Sequence, residues 1–527
     1  MKAKSIRKAM YIKTILGYFA LNILSLFAVD PPASPLNKGP ASPFSFDLLK
    51  KEASTLAKQP YSAPRTLSSE VLEQIDYDAH GKIRFKTDHA LWAQGPGEFP
   101  VTFFHLGRYF QTPVRMYEVI GAEAREIRYD VSYFDMPKDS PARKLSADSG
   151  FAGFRFQEQR TGSLDWQKND WVAFLGASYF RTIGELYQYG LSARALAINV
   201  AVPGKNEEFP IFTRFYFETP APGEKTVVVY ALLEGPSVAG AYRFEMTRAA
   251  AVVMNVEADV HLRQDVERLG LAPLTSMYWF SETAKPTALD WRPEVHDSDG
   301  LALWTGTGER AWRPLNNPPR VITSSFMDNN PRGFGLSQRD RVFDHYLDGV
   351  YYDRRPTLWI EPQGEWGKGS VQLIEIPTND EIHDNIVAMW VPEAPAKTGS
   401  YYKLRYKMHW VKDEPAGPLA RCVALRLGNG GQAGTQRPEG VRKFVIEFMG
   451  GPLSALPDGA IPEAVVSAGR GKLSNFRVEA VPDDVPGHWR AYFDLAADGT
   501  DPVELRCFLR HEKQVLSETW LYQYHPM

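Results

Sequence analysis

Beyond an apolar run from Ile12 to Val29, the chain is built from short blocks in which apolar and polar positions alternate. Val227 to Leu233, Tyr242 to Met246, Val252 to Leu262, Val371 to Ile376 and Tyr401 to Val411 are such blocks, each closed by Gly, Pro, Asn or Asp. A period of two sends successive side chains to opposite faces, so these blocks predict β-strands. Phe44 to Lys58 breaks the pattern: Phe46, Leu48, Leu49 and Ala53 fall roughly on one face at helical spacing, which predicts a short amphipathic helix. Strand signals this dense, with no helical periods between them, predict antiparallel sheets in a sandwich or barrel. The fold class is all-β.

The pattern is interrupted at Lys412 to Leu419 (KDEPAGPL), and five more blocks follow: Val423 to Leu427, Val441 to Phe448, Phe476 to Val481, His488 to Leu495 and Val503 to Leu509. About 110 residues with five or more strands is the size of an immunoglobulin-like sandwich. A chain of 527 residues also exceeds what one core usually serves. The expected division is an export segment and linker over 1–43, a large N-terminal β-sandwich over 44–411, a linker over 412–422 and an immunoglobulin-like domain over 423–527.

Charge and composition narrow the partners. Lys2, Lys4, Arg7 and Lys8 precede the apolar run and Pro/Ser/Gly-rich sequence follows it, the layout of a secretory signal. No small-x-small cleavage site ends the run, so an uncleaved anchor stays open beside cleavage. A net charge of -3 with no basic run excludes a nucleic-acid grip. Aromatic residues at 13% suit stacking on sugar faces or packing in a β core. The two cysteines, Cys422 and Cys507, fit one disulfide or two buried thiols equally. No histidines stand at ligand spacing, and Gly364, Gly367 and Gly369 lack the Lys-Ser/Thr of a phosphate loop, so neither metal nor cofactor is expected.

Seven stretches carry a family resemblance: FAGFRF (151–156), LGASYFR (175–181), YQYGLSARALAI (187–198), RPEVHDSDGL (292–301), WRPLNNP (312–318), GEWGKGSVQLIEIPTNDE (364–381) and SETW (517–520). Together they resemble the periplasmic glucan biosynthesis proteins G and D. The resemblance implies a mutarotase-like N-terminal β-sandwich, an immunoglobulin-like C-terminal domain and a periplasmic location. It also implies action on the β-1,2-linked backbone of osmoregulated periplasmic glucans, as an anomer-inverting endo-β-1,2-glucanase. Its partners would be that β-1,2-glucan and a membrane glucosyltransferase of the same pathway. A transglycosylase that branches or cyclises the glucan, and a non-catalytic assembly factor, remain open alternatives.

Inversion needs one carboxyl to protonate the leaving oxygen and another to activate water. Carried over by motif, Asp384 in DEIHDNIVAMW matches the general acid and Asp297 in EVHDSDGL the general base. Asp299 competes with Asp297, and either could instead bond backbone in an Asx-turn. Asp380 and Glu381 are alternative carboxyls beside Asp384, whose acid form would be favoured by burial against its apolar neighbours. Tyr352, Glu381, Trp366 and Asp299 are candidate sugar contacts, with packed aromatics and surface charge as their structural alternatives. One departure stands out: Gly306-Thr307-Gly308-Glu309-Arg310 has a cation where the family commonly has Trp, and loss of a sugar-stacking ring there would alter chain-length preference.

Overall fold

The alternation of Val252–Leu262 is visible in its burial: Val252, Met254, Val256, Ala258, Val260 and Leu262 are buried, while Val253, Asn255 and Glu257 are half-buried. In the computed structural model this strand pairs antiparallel with Val238–Arg248 and with Tyr401–Val411. The structure describes residues 35–526 apart from 65–68, 285–287, 289 and 458. The expected export segment lies outside the described residues. Among those described, no helix is long and apolar enough to cross a membrane.

Two large sheets dominate. The first has 16 strands and runs through Ile211–Glu218, Thr226–Glu234, Val238–Arg248, Val252–Leu262, Tyr401–Val411, Thr357–Pro362, Gly333–Ser337, Gly300–Trp304 and Arg310–Pro314. The second has 10 strands, among them Lys368–Glu375, Ile386–Pro392, Leu269–Ser276, Ser192–Arg194, Tyr179–Thr182, Asp170–Leu175 and Gly153–Gln157. Their inner faces meet in one apolar core, where Phe154 packs edge-on to Phe215 at 4.8 Å and Phe174 to Phe244 at 5.2 Å. Each such ring contributes about 1.5–3 kcal/mol by leaving water. The protein is an all-β assembly of packed sheets. Ser45 caps the helix Phe46–Leu56 by accepting the Leu48 N–H, and that helix buries Leu49 and Ala53.

Most pairings are antiparallel, as the strand density predicts, but two are parallel. Arg115–Ile120 lies beside Ile211–Glu218, and Thr519–Tyr524 lies beside Arg310–Pro314. Through the second of these, Thr519–Tyr524, Val503–His511 and Glu463–Ala468 extend the 16-stranded sheet. The remaining C-terminal strands, Arg421–Asn429, Val441–Met449, His488–Ala496 and Lys472–Ala480, form a separate four-stranded sheet. The apolar cluster there takes in Ala302, Trp312 and Trp359 from the large sheet. Cys422 and Cys507 lie in it as free, buried thiols.

Candidate active site

The site is laid on the outer face of the 10-stranded sheet by the period-two rule. In Tyr179–Thr182, Phe180 and Thr182 are buried, so Tyr179 and Arg181 point the other way. Arg194 pairs with Tyr179 across the ladder and its guanidinium lies 5.3 Å from the Tyr179 ring. Arg194 is buried, with Glu207 at 2.6 Å from one terminal nitrogen and its Nε hydrogen-bonded to nothing.

Asp384 stands two residues before the strand Ile386–Pro392. The residue between them, Asn385, fixes it in place: its side-chain oxygen accepts the Tyr278 N–H at 2.8 Å and its amide donates to the carbonyls of Tyr278 and Ile376, both at 2.9 Å. Tyr278 in turn pairs with His296, and the Asp297 N–H donates to Met277 O at 2.8 Å. Asn385 thus ties the Asp384 segment to the strand that carries Asp297, although 107 residues separate it from Tyr278.

Asp384 and Asp297 are within electrostatic reach. Desolvation first, then the charge of Asp297, raises the Asp384 carboxyl above its ordinary value, against Arg181 and Arg194. Asp384 is nevertheless solvent-accessible, not buried against the apolar strand as expected; Asn385 and Ile386 are the buried residues there. Asp297 is more enclosed, its side chain 14% exposed, with Arg355 Nε 3.4 Å from Oδ1. Burial raises it too, and Arg355, His296 and Arg181 counteract. Neither Asp297 Oδ1 nor Arg355 Nε completes a hydrogen bond.

Tyr352 and Glu381 belong to the same cluster. The Tyr352 hydroxyl donates to Glu381 Oε2 at 2.6 Å, and Arg292 holds Glu381 from the other side at 2.7 and 3.2 Å. Burial pushes Glu381 up, but these donors outweigh it and its carboxyl lies below the ordinary range. The Arg355 guanidinium lies 5.0 Å from the Tyr352 ring. Asp380 turns to local backbone, accepting the Ile382 N–H at 3.2 Å.

Asp299 and Trp366 go elsewhere. The Asp299 carboxylate accepts the backbone N–H groups of Arg339 and Asp340 and sits 3.3 Å from His296 Nδ1; burial raises it to about 6. Trp366, half-buried at the edge of the core, packs on Trp390 and Tyr406 and donates its indole N–H to Arg405 O at 3.4 Å. Arg310 stacks its guanidinium 3.8 Å over Trp304 and donates to Pro415 O, at the C-terminal junction. The residues that sequence reasoning did not single out are Tyr179, Arg181, Arg194, Arg292, Arg355 and Asn385. All of these but Arg355 lie inside the stretches given above, so the signal was present without a role attached.

Residues 44–524 match the family described as "Periplasmic glucan biosynthesis protein, MdoG". The chain is 65% identical over 499 residues to "Glucans biosynthesis protein D 2" of Ralstonia nicotianae, covering 94% of this chain and 93% of the relative. It is 48% identical over 493 residues to "Glucans biosynthesis protein D" of Stenotrophomonas maltophilia, covering 93% and 91%. With the protein of the same name from Xanthomonas oryzae pv. oryzae it shares 47% over 520 residues, covering 97% and 96%. A match across almost the whole chain, spanning both carboxylates and the loops that hold them, means that this protein belongs to the periplasmic glucan biosynthesis family.

Proposed function

We propose that this periplasmic glucan biosynthesis protein is an anomer-inverting endo-β-1,2-glucanase, with Asp384 as general acid and Asp297 as general base. The observation that carries the reading is the asymmetry of the two carboxyls. Asp384 has no cation in contact and is pushed up by desolvation and by its partner's charge, which favours the protonated form an acid needs. Asp297 is raised by its own burial as well, but the Arg355 guanidinium beside it counteracts that shift, which favours the ionised form a base needs. Tyr352 and Glu381, locked together and to Arg292, orient sugar hydroxyls or the attacking water. Residues 44–411 are proposed as the catalytic domain and 423–527 as the immunoglobulin-like one, joined by 412–422; the separate four-stranded sheet after Arg421 supports this division. Its location is the periplasm and its partner the β-1,2-glucan made by a membrane glucosyltransferase.

The test is incubation of the protein with linear β-1,2-glucan, following reducing ends and product mass, with Asp384→Asn alongside. Shorter linear products, reduced about 10²- to 10⁴-fold in the variant, are expected. Cyclic or branched products without new reducing ends would replace hydrolysis by transglycosylation on the same carboxyls. Binding without turnover by the wild type would overturn the enzymatic reading.

A further inference from the structure

On a separate cluster of side chains, we propose that Glu294, Asp340 and His345 form a binding site for a divalent transition-metal ion such as Zn²⁺ or Mn²⁺. One ligand atom from each lies within 4.8 Å of the others. Glu294 immediately precedes the strand Val295–His296, whereas Asp340 and His345 belong to the loop after Gly333–Ser337. Their spacing in sequence, 46 and 5 residues, matches no linear ligand motif, which is why a search for paired histidines passes over them.

The site has more than proximity. Glu294 is 7% exposed; its Oε2 faces His296 Nε2 at 3.0 Å, and its Oε1 has no hydrogen bond among the described residues. That oxygen keeps what little exposure the side chain has, which leaves it free to meet a cation or a water. Asp340 directs Oδ2 at His345 Nδ1, 2.5 Å away, while its Oδ1 takes the Val342 N–H. Glu294 and Asp340 also line a cavity of about 70 Å³ together with Glu282 and Asp299. The arginine in its wall, Arg339, is already held by Glu414 and Glu518. Arg341 nearby gives its two terminal nitrogens to the carbonyls of Asp353, Arg355 and Lys412. Four carboxylates therefore share the cavity, and His296, which faces Glu294 and Asp299, leaves Asp340 and Glu282 without a contact from it.

The donor set decides the ion. One imidazole nitrogen with two carboxylate oxygens suits Zn²⁺ or Mn²⁺, whereas Ca²⁺ and Mg²⁺ prefer oxygen alone. His296, hydrogen-bonded to Glu294 and to Gln338, would orient the Glu294 ligand. His345 is half exposed, which gives an ion a way in. A bound ion would staple Glu294, three residues before Asp297, to the loop that carries Tyr352 and Arg355.

The experiment uses untagged, chelator-treated full-length protein titrated with ZnCl₂ and separately with MnCl₂ in a calorimeter, with thermal unfolding read in parallel. One ion per chain and a raised melting temperature are expected for the wild type. His345→Ala, at an exposed position outside the glucan cleft, should weaken binding by about 100-fold and remove the thermal gain; Asp340→Asn should do the same. No uptake by the wild type, or equal uptake by wild type and both variants, would overturn the site. Glucan turnover is not needed to read either result.

Discussion

Arg355 beside Asp297 and Arg339 beside Glu414 are both enclosed arginine–carboxylate pairs, yet they are finished to different degrees. Arg339 donates to Glu414 at 3.0 and 2.5 Å, to Glu518 at 2.6 and 3.1 Å and to Cys422 O at 2.9 Å, and lies 3.7 Å from the Trp312 ring. Glu414 is further met by Ser337 and Arg421. At Asp297 the nearest arginine nitrogen stands 3.4 Å away and neither partner atom completes a hydrogen bond. A saturated network fixes geometry; an unsaturated one retains capacity to bind and to move a proton. The first joins the large sheet to the C-terminal strands, and the second lies beside Asp384 and Tyr352.

Breaking the saturated pair should produce the largest effect on stability. Arg339→Met strands two buried carboxylates, an expected loss of about 3–5 kcal/mol, measured by denaturant unfolding. Its pH dependence follows from Glu414, which burial pushes up but Arg339 and Arg421 hold down at about 2, below the ordinary 4.5. A depressed carboxyl stabilises the fold above its unfolded value and loses that contribution as pH falls through the folded one. The gap between wild type and variant should therefore be full above about pH 5 and shrink toward pH 2. A gap that stays constant across this range would mean that the network is not what stabilises the junction.

Breaking the unsaturated pair should change chemistry more than stability. Asp297 is proposed to act ionised, so activity falls as pH drops through its pKa. Arg355 lowers that pKa. Arg355→Met removes the cation, and the acidic limb of the kcat/KM profile should move up by about 1 unit or more, with the unfolding midpoint changed less than for Arg339→Met. An unmoved limb would separate Arg355 from the state of the base.

How much of this was legible follows the range of the interactions. The strand Val252–Leu262 and the helix Phe46–Leu56 were read closely because their signals are periodic and local. Tyr179–Thr182 and Ser192–Arg194, four and three residues long, are too short for any period to register, yet they supply Tyr179, Arg181 and Arg194. Asp297 and Asp384 are proposed as the catalytic pair on the family motif alone, and no pattern of polarity distinguishes them from Asp299 and Asp380. What distinguishes them is partners: Asp299 is taken up by backbone N–H groups at 339 and 340, and Asp380 by local turns. Asn385 was unreadable because its hydrogen bonds go to Tyr278, far away in sequence.

The smallest effect is expected at Arg310, where the sequence suggested the opposite. A cation replacing the family's usual Trp would matter for chain length if that position stacked on glucan. Its surroundings place it at the C-terminal junction instead. The Arg310 guanidinium covers Trp304 at 3.8 Å and donates to Pro415 O at 3.1 Å. The preceding Glu309 accepts from Arg506 and Thr519, both at 2.7 Å and both on C-terminal strands. Arg310 also shares a small cavity with Arg339, Glu414 and Leu419. Arg310→Trp exchanges a cation–π contact worth about 0.5–2 kcal/mol for ring packing, so the unfolding midpoint should move by only a few degrees. The mass distribution of products from linear β-1,2-glucan should not change. A shift in product length would move Arg310 from the junction to the glucan-binding surface and blur the division between a closed structural network and an open chemical one.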